Sequence, residues 1–275
     1  MNTFEQNIIN IYQNQGKDWL LELPNIITSL AKIWNLSQLQ PVVNLSFNYV
    51  LSGFQQNQPI ILKLGLDKIA LAREALALTC FENHGGMELL AKTETALLLK
   101  RAIPGVSLKT IAKAKPQKAL EISCKVMQSL HQAPLSNVNF PHISEWFLTL
   151  DKSWNLPEIY LHKARQLRNS LLMANNKPVL LHGDLHHDNI LLDGDAWKII
   201  DPKGVLGYPI NEIWTFVNDI EQDAPYIAGT FEFEVNKVVE AYFVHVILAT
   251  CWNLEDNLDP SQFLDLAAKT YKLMN

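Results

Sequence analysis

The stretch His182-Gly183-Asp184-Leu185-His186-His187-Asp188-Asn189-Ile190-Leu191, followed shortly by Ile199-Ile200-Asp201-Pro202, constrains this 275-residue chain more than any other. Ile190-Leu191-Leu192 and Trp197-Lys198-Ile199-Ile200 read as two short apolar strands, and Asp193-Gly194-Asp195 between them carries turn chemistry. A hairpin there returns the chain, so Asp201 is expected beside Asn189. Asn189 follows Asp184 by five residues, close enough for one compact loop to aim both side chains at a common point. Val179-Leu180-Leu181, just before the loop, supplies an apolar strand beneath it.

That arrangement has a specific chemistry. Two oxygen ligands at the root of one hairpin, Asn189 and Asp201, suit Mg²⁺, which takes few carboxylates and completes its shell with water and phosphate oxygens. Asp184 suits a base that orients and deprotonates a hydroxyl, so the set predicts phosphoryl transfer. Lys63 closes the apolar run Pro59-Ile60-Ile61-Leu62, and Glu74 lies in the helical stretch that follows. An ion pair between them would hold Lys63 where the α- and β-phosphates of a nucleotide pass.

A competing reading is a metallohydrolase centre, because His182, Asp184, His186, His187 and Asp188 crowd together. Such a centre recruits further ligands from distant loops. The remaining histidines, His84, His131, His142, His162 and His245, mostly fall in helical-looking stretches without partners. His182 is therefore expected to buttress the loop, with His186 and His187 as packing or surface imidazoles.

With 48% hydrophobic and 19% charged residues, the chain belongs with ordinary globular proteins, long enough for one large domain or two modest lobes. A net charge of −5 argues against a nucleic-acid partner and is compatible with a cationic small substrate. Cys80, Cys124 and Cys251 are far apart in apolar surroundings, which predicts buried thiols rather than disulfides or a zinc site. The first residues lack a basic start and an apolar run, and Tyr242 to Leu254 is too short to span a bilayer, so no membrane partner is expected and the cytoplasm is the expected location. Oligomeric state has no signal here.

Trp19, Leu20, Leu23, Ile26, Ile27, Leu30, Ile33 and Trp34 recur at helical spacing, with Pro24 as the expected interruption. Residues 42–51 and 60–64 read as strands joined by a hairpin across 53–59, the region where a nucleotide-covering loop is expected. A helix over 66–81 begins at Asp67 and turns Ile69, Ala72, Leu76 and Cys80 to one side. Strands over 87–91 and 95–99 lead into a linker, Lys100-Arg101-Ala102-Ile103-Pro104-Gly105. Helices are expected over 119–131, 143–150, 159–173, 212–220 and 233–252. The layout is α+β: a small lobe with an antiparallel sheet, residues 1–101 with a helical extension over 1–36, joined to a larger mainly helical lobe, residues 102–275.

On these residues the chain resembles the aminoglycoside phosphotransferase family, which has a protein-kinase-like fold, and within it the streptomycin 6-kinase and hydroxyurea phosphotransferase branch. The likeness rests on Gly16 to Pro24 with Trp34-Asn35-Leu36, Leu45 to Val50, the strand ending at Lys63, Glu74, Leu97 through Gly105, His182 through Leu191, and Ile200-Asp201-Pro202-Lys203-Gly204. It implies that Asp184 serves the acceptor hydroxyl, that Asn189 and Asp201 bind Mg²⁺, and that Lys63 with Glu74 positions ATP. It also implies that backbone groups around Leu99, Lys100 and Ala102 meet the adenine, and that Lys203 is either a phosphate contact or a solvated charge. The loop around Leu45 to Val50 has no glycine, so Ser46 and Asn48 are expected to donate from their side chains. The implied substrate is a hydroxylated small molecule such as streptomycin or hydroxyurea. Two other outcomes stay open: a kinase of an unrelated metabolic alcohol, and a kinase-like nucleotide-binding module without turnover. Glu212, Asp219, Glu221, Asp223, Glu255 and Asp256 are available to a cationic substrate or are solvated helix charges, and Trp214 and Trp252 either stack on substrate or pack in the core.

Overall fold

A 31-residue helix, α1 (Thr3–Ile33), opens the computed structural model, which describes residues 3–43, 45, 47–135, 139–172 and 177–274. The interruption expected at Pro24 falls instead at Gln13 (φ 50°, ψ −121°), and Pro24 remains inside the helix. The two arms of α1 cross so closely that a Cβ on Gly16 would stand 2.6 Å from the Ile8 carbonyl oxygen, a contact that only glycine admits. Phe4, Ile8, Trp19, Leu23 and Leu30 are buried along it, and their packing outweighs the backbone hydrogen bond Pro24 lacks.

These residues cover one face of a five-stranded antiparallel sheet made of β1 (Leu36–Pro41), β2 (Tyr49–Gln55), β3 (Gln58–Leu64), β4 (Leu89–Lys92) and β5 (Ala96–Lys100), in the order β1-β2-β3-β5-β4. The hairpin expected across 53–59 turns at Gln56-Asn57, so Gly53 and Pro59 lie within strands, opposite Ile60 and Phe54. Gly53 is there for space: a Cβ would meet the Leu39 side chain at 2.7 Å, where β1 bulges over it.

Strand alternation sends Leu62, Leu64, Ala96 and Leu98 into the core under α1, and Leu97 and Leu99 into a second core with α2 (Lys68–Phe81). Lys63, between Leu62 and Leu64, therefore emerges on the α2 side. Asp67 caps α2 as expected, accepting from the Ala70 N–H at 2.9 Å. Its buried face is not the expected one: Leu71, Glu74, Ala75, Leu78 and Phe81 point inward and Ile69 is exposed. The helix is apolar on nearly every side, so periodicity alone could not choose the face.

Beyond the linker come β6 (Pro104–Ser107), α3 (Leu108–Ala114), α4 (Pro116–Leu130), α5 (Ile143–Phe147) and α6 (Glu158–Leu172). Three short strands follow, β7 (Val179–Leu181), β8 (Ile190–Asp193) and β9 (Ala196–Ile199), then β10 (Val205–Gly207), α7 (Ile220–Phe231), α8 (Val235–Glu255) and α9 (Ser261–Leu273). The helix expected over 212–220 is replaced by two 3₁₀ turns, Pro209–Asn211 and Ile213–Phe216, with α7 starting only at Ile220. α8 is buried along most of its length, and α6, α7 and α9 pack around it. Cys124 and Cys251 are buried and Cys80 half-buried, all as free thiols. Among the described residues no helix is long and apolar enough to cross a membrane.

Candidate active site

Two strand pairs frame the Asp184 loop. β7 pairs antiparallel with β10, and β8 with β9 through the register Ile190↔Ile199. The loop leaves β7 and enters β8; Asp201-Pro202-Lys203-Gly204 leaves β9 and enters β10. The two connections are therefore neighbours, and they are laced together. The Ile200 N–H donates to the Asn189 carbonyl at 3.0 Å, and the Lys203 and Gly204 N–H groups donate to the His182 carbonyl at 2.7 and 3.2 Å.

His182 is the rivet. It is fully buried; its Nε2 donates to the Ile200 carbonyl at 2.9 Å, which leaves Nδ1 to accept the Asp184 N–H at 3.2 Å. Desolvation pushes its pKa down, against the pull of Glu212, so the ring stays neutral. Both nitrogens are engaged, so His182 is no metal ligand, and the expected buttressing role is the one its contacts describe.

Lys63, Glu74 and Asp201 form a charge triad in which Lys63 and Glu74 are buried and Asp201 is half-exposed. The Lys63 ammonium, its side chain only 6% exposed, lies 2.7 Å from Glu74 Oε2 and 3.0 Å from Asp201 Oδ1. Burial opposes its charge, but the Asp201 and Glu74 carboxylates outweigh burial and raise its pKa above the ordinary lysine value. Burial also raises Glu74, whereas Asp201, although desolvated, is held below the usual carboxylate range by Lys63 and then Lys203. Asp201 takes this position in left-handed backbone (φ 58°), a strained conformation of the kind that clusters at functional sites.

Asn189 Nδ2 donates to the Asp184 carbonyl at 2.9 Å, so its amide oxygen is turned away from that bond. Asp201 likewise has a second carboxylate oxygen beyond the one that holds Lys63. An amide oxygen and a carboxylate oxygen from adjacent connections are a donor set that fits Mg²⁺ shared with phosphates.

On the nucleotide side the outcome is mixed. Leu99 and Ala102 are buried at the linker, while the Lys100 side chain turns to Asp193 at 2.8 Å. The Arg101 N–H is used by the Pro59 carbonyl and the Ile103 N–H by Asp193 Oδ1, both at 3.1 Å. Asn48 folds its side-chain oxygen against Gly65, and Ser46 lies outside the described residues.

Glu212 is the residue that sequence reading misplaced. Rather than greeting substrate, it is 2% exposed, and its carboxylate accepts the His182 N–H (2.7 Å) and the Gly183 N–H (2.8 Å), with His131 Nε2 at 3.4 Å. Burial pushes its pKa up, but His131, His182 and the Gly183 N–H hold it below the usual range. An acid set between Ile210 and Ile213 was the available signal. Trp146 was not anticipated either. Its ring edge approaches Gly183 (φ 82°) so closely that a Cβ there would meet it at 2.9 Å, and it packs edge-on against Trp252 at 5.7 Å. Trp214, by contrast, stacks on buried His245. Asp219 caps α7 and pairs with Lys269, Asp223 accepts two backbone N–H groups, and Glu255 pairs with Lys152.

The family model of the aminoglycoside/hydroxyurea antibiotic resistance kinases matches residues 34–248. The chain belongs to this family. A curated relative, the streptomycin 3''-kinase of Klebsiella pneumoniae, is 32% identical over 63% of this chain and 66% of its own length. The methylthioribose kinase of Geobacillus thermodenitrificans is 29% identical over 52% of this chain and 40% of its own. The chain thus spans less than two thirds of the length of the curated relatives it matches. Among solved structures, the aminoglycoside phosphotransferase APH(4)-Ia superposes with a TM-score of 0.67 at 14% identity, covering 92% of this chain and 98% of the other. A choline/ethanolamine kinase family protein from Mesorhizobium loti superposes with a TM-score of 0.65 at 18% identity, covering 87% and 88%. These likenesses place this aminoglycoside/hydroxyurea resistance kinase family member in the protein-kinase-like fold, an antiparallel small lobe over a mainly helical one.

Proposed function

We propose that this protein is a phosphotransferase that moves the γ-phosphoryl group of ATP to a hydroxyl of a small molecule. One observation carries the reading: Asp201 is ion-paired to buried Lys63 and is tied, through Ile200, Asn189 and His182, to the loop that presents Asp184. Residues 1–101 act as the nucleotide lobe and 102–275 as the lobe that holds the acceptor. Lys63, oriented by Glu74, contacts the α- and β-phosphates, and Ala102 is the linker amide assigned to adenine because its neighbours at 101 and 103 are already engaged. Asn189 and Asp201 hold Mg²⁺, which neutralises phosphate charge when bound. Asp184 aims the acceptor hydroxyl and receives its proton late, because in a loose transition state positioning outweighs early deprotonation.

The acceptor is assigned to the antibiotic class named for the family, an aminoglycoside such as streptomycin or the small molecule hydroxyurea, with the cytoplasm as the site of action. A second reading, a sugar-like metabolic alcohol, draws on the methylthioribose kinase match. ADP release with ATP, Mg²⁺ and a panel of streptomycin, hydroxyurea and sugar alcohols tests both. The expected result is turnover with one class, abolished in Asp184→Ala while the protein still folds. Nucleotide binding with no accepted alcohol supports instead a binding module without turnover.

A further inference from the structure

The triad leaves a second lysine unexplained. Lys203 follows Asp201 by two residues, its stem pinned by the 2.7 Å bond from its N–H to the His182 carbonyl, one residue before Gly183. Its Cβ lies against Gly183, where an added Cβ would meet it at 3.1 Å. The side chain is 59% exposed and the ammonium lies 3.8 Å from Asp184 Oδ2, too long for a hydrogen bond and within ion-pair range. His186 also faces Asp184, at 3.8 Å, but its Nδ1 accepts the Asp188 N–H at 3.2 Å, which keeps a lone pair on that nitrogen. His186 therefore accepts through Nδ1, and Lys203 is the group that brings positive charge to Asp184. Lys63 is buried and committed to Glu74 and Asp201. Lys203 is instead anchored by its backbone and open at its tip, beside the carboxylate assigned to the acceptor and near enough to the one assigned to the metal to lower its pKa.

We propose that the Lys203 ammonium is a second catalytic cation, contacting the oxygens of the phosphoryl group as it passes from ATP to the acceptor. This rests on the phosphotransferase reading above. In the step, the bond from the γ-phosphorus to the β,γ-bridging oxygen breaks with its electron pair left on ADP. The bond to the acceptor oxygen forms, and the hydroxyl proton passes to Asp184. Lys203 keeps its protons and supplies charge alone, releasing Asp184 as the phosphoryl group arrives.

The test compares wild type, Lys203→Met and Lys203→Arg by turnover and by thermal stabilisation with Mg·ADP and with Mg·AMP-PNP. In Lys203→Met, kcat is expected to fall about 100-fold, with Lys203→Arg partly restoring it. Mg·ADP should stabilise all three alike, while the additional stabilisation from the γ-phosphate of AMP-PNP should shrink in Lys203→Met. Unchanged turnover overturns the proposal. So does a lower kcat with an unchanged AMP-PNP increment, because that makes Lys203 only a support for Asp184. A wild type stabilised by neither nucleotide removes the phosphotransferase reading and this proposal together.

Discussion

Glu212 and His245 show how much of the site's rigidity comes from groups that never meet a ligand. The Glu212 carboxylate satisfies two backbone N–H groups at the start of the Asp184 loop, in a setting nearly closed to water. Removing it strands those donors beside His131 and His182. Glu212→Ala is therefore expected to cost about 3–5 kcal/mol in denaturant unfolding, and an unchanged midpoint would show that the loop holds itself. His245 is buried in α8 between Trp214 and Phe147, and desolvation pushes its pKa down to about 3. Below about pH 6.5 the unfolded chain takes up a proton that the folded chain refuses, so stability falls as pH falls through the window between 6.5 and 3. His182, also depressed, adds in the same direction. His245→Gln should flatten the acid limb of the stability curve by about 1.4 kcal/mol per pH unit; identical slopes for variant and wild type between pH 6 and 4 would refute this.

Among the elements, those set by local rules were legible and those set by tertiary demand were not. The β8–β9 hairpin could be read because two apolar runs and a Gly-Asp turn specify it within ten residues, and Asp67 announced α2 by capping it. β1 escaped notice because it is a polar, bulged edge strand whose only apolar partners are on other elements. Residues 212–216 carry a helical pattern but fold as a 3₁₀ turn, next to a carboxylate that must reach the His182 and Gly183 amides. The break in α1 at Gln13 had one clue, Gly16, whose meaning appears only when Ile8 is found against it. Gly16→Val should separate the arms and cost about 1–3 kcal/mol, read as a lower thermal midpoint. A variant as stable as wild type would mean that the crossing bears no load.

At the scale of the whole molecule, the site is a product of two bodies of chain meeting. Lys63 and Glu74 come from the sheet and α2 of the first hundred residues, Asp184, Asn189 and Asp201 from connections after β7 and β9, and the 3.0 Å Lys63–Asp201 contact joins them. The individual acids were legible from spacing; the charge balance was not, because it depends on Lys203 and Glu212 lying where only the folded chain brings them. The substrate is legible from neither. The most direct test of the account is thermal stabilisation by ATP, with and without Mg²⁺, in wild type and in Asp201→Ala. Wild type should show stabilisation that depends on Mg²⁺, and Asp201→Ala should fold and lose that dependence. Equal Mg²⁺-dependent stabilisation in both proteins, or none in wild type, would contradict the claim that these side chains converge to bind a metal nucleotide.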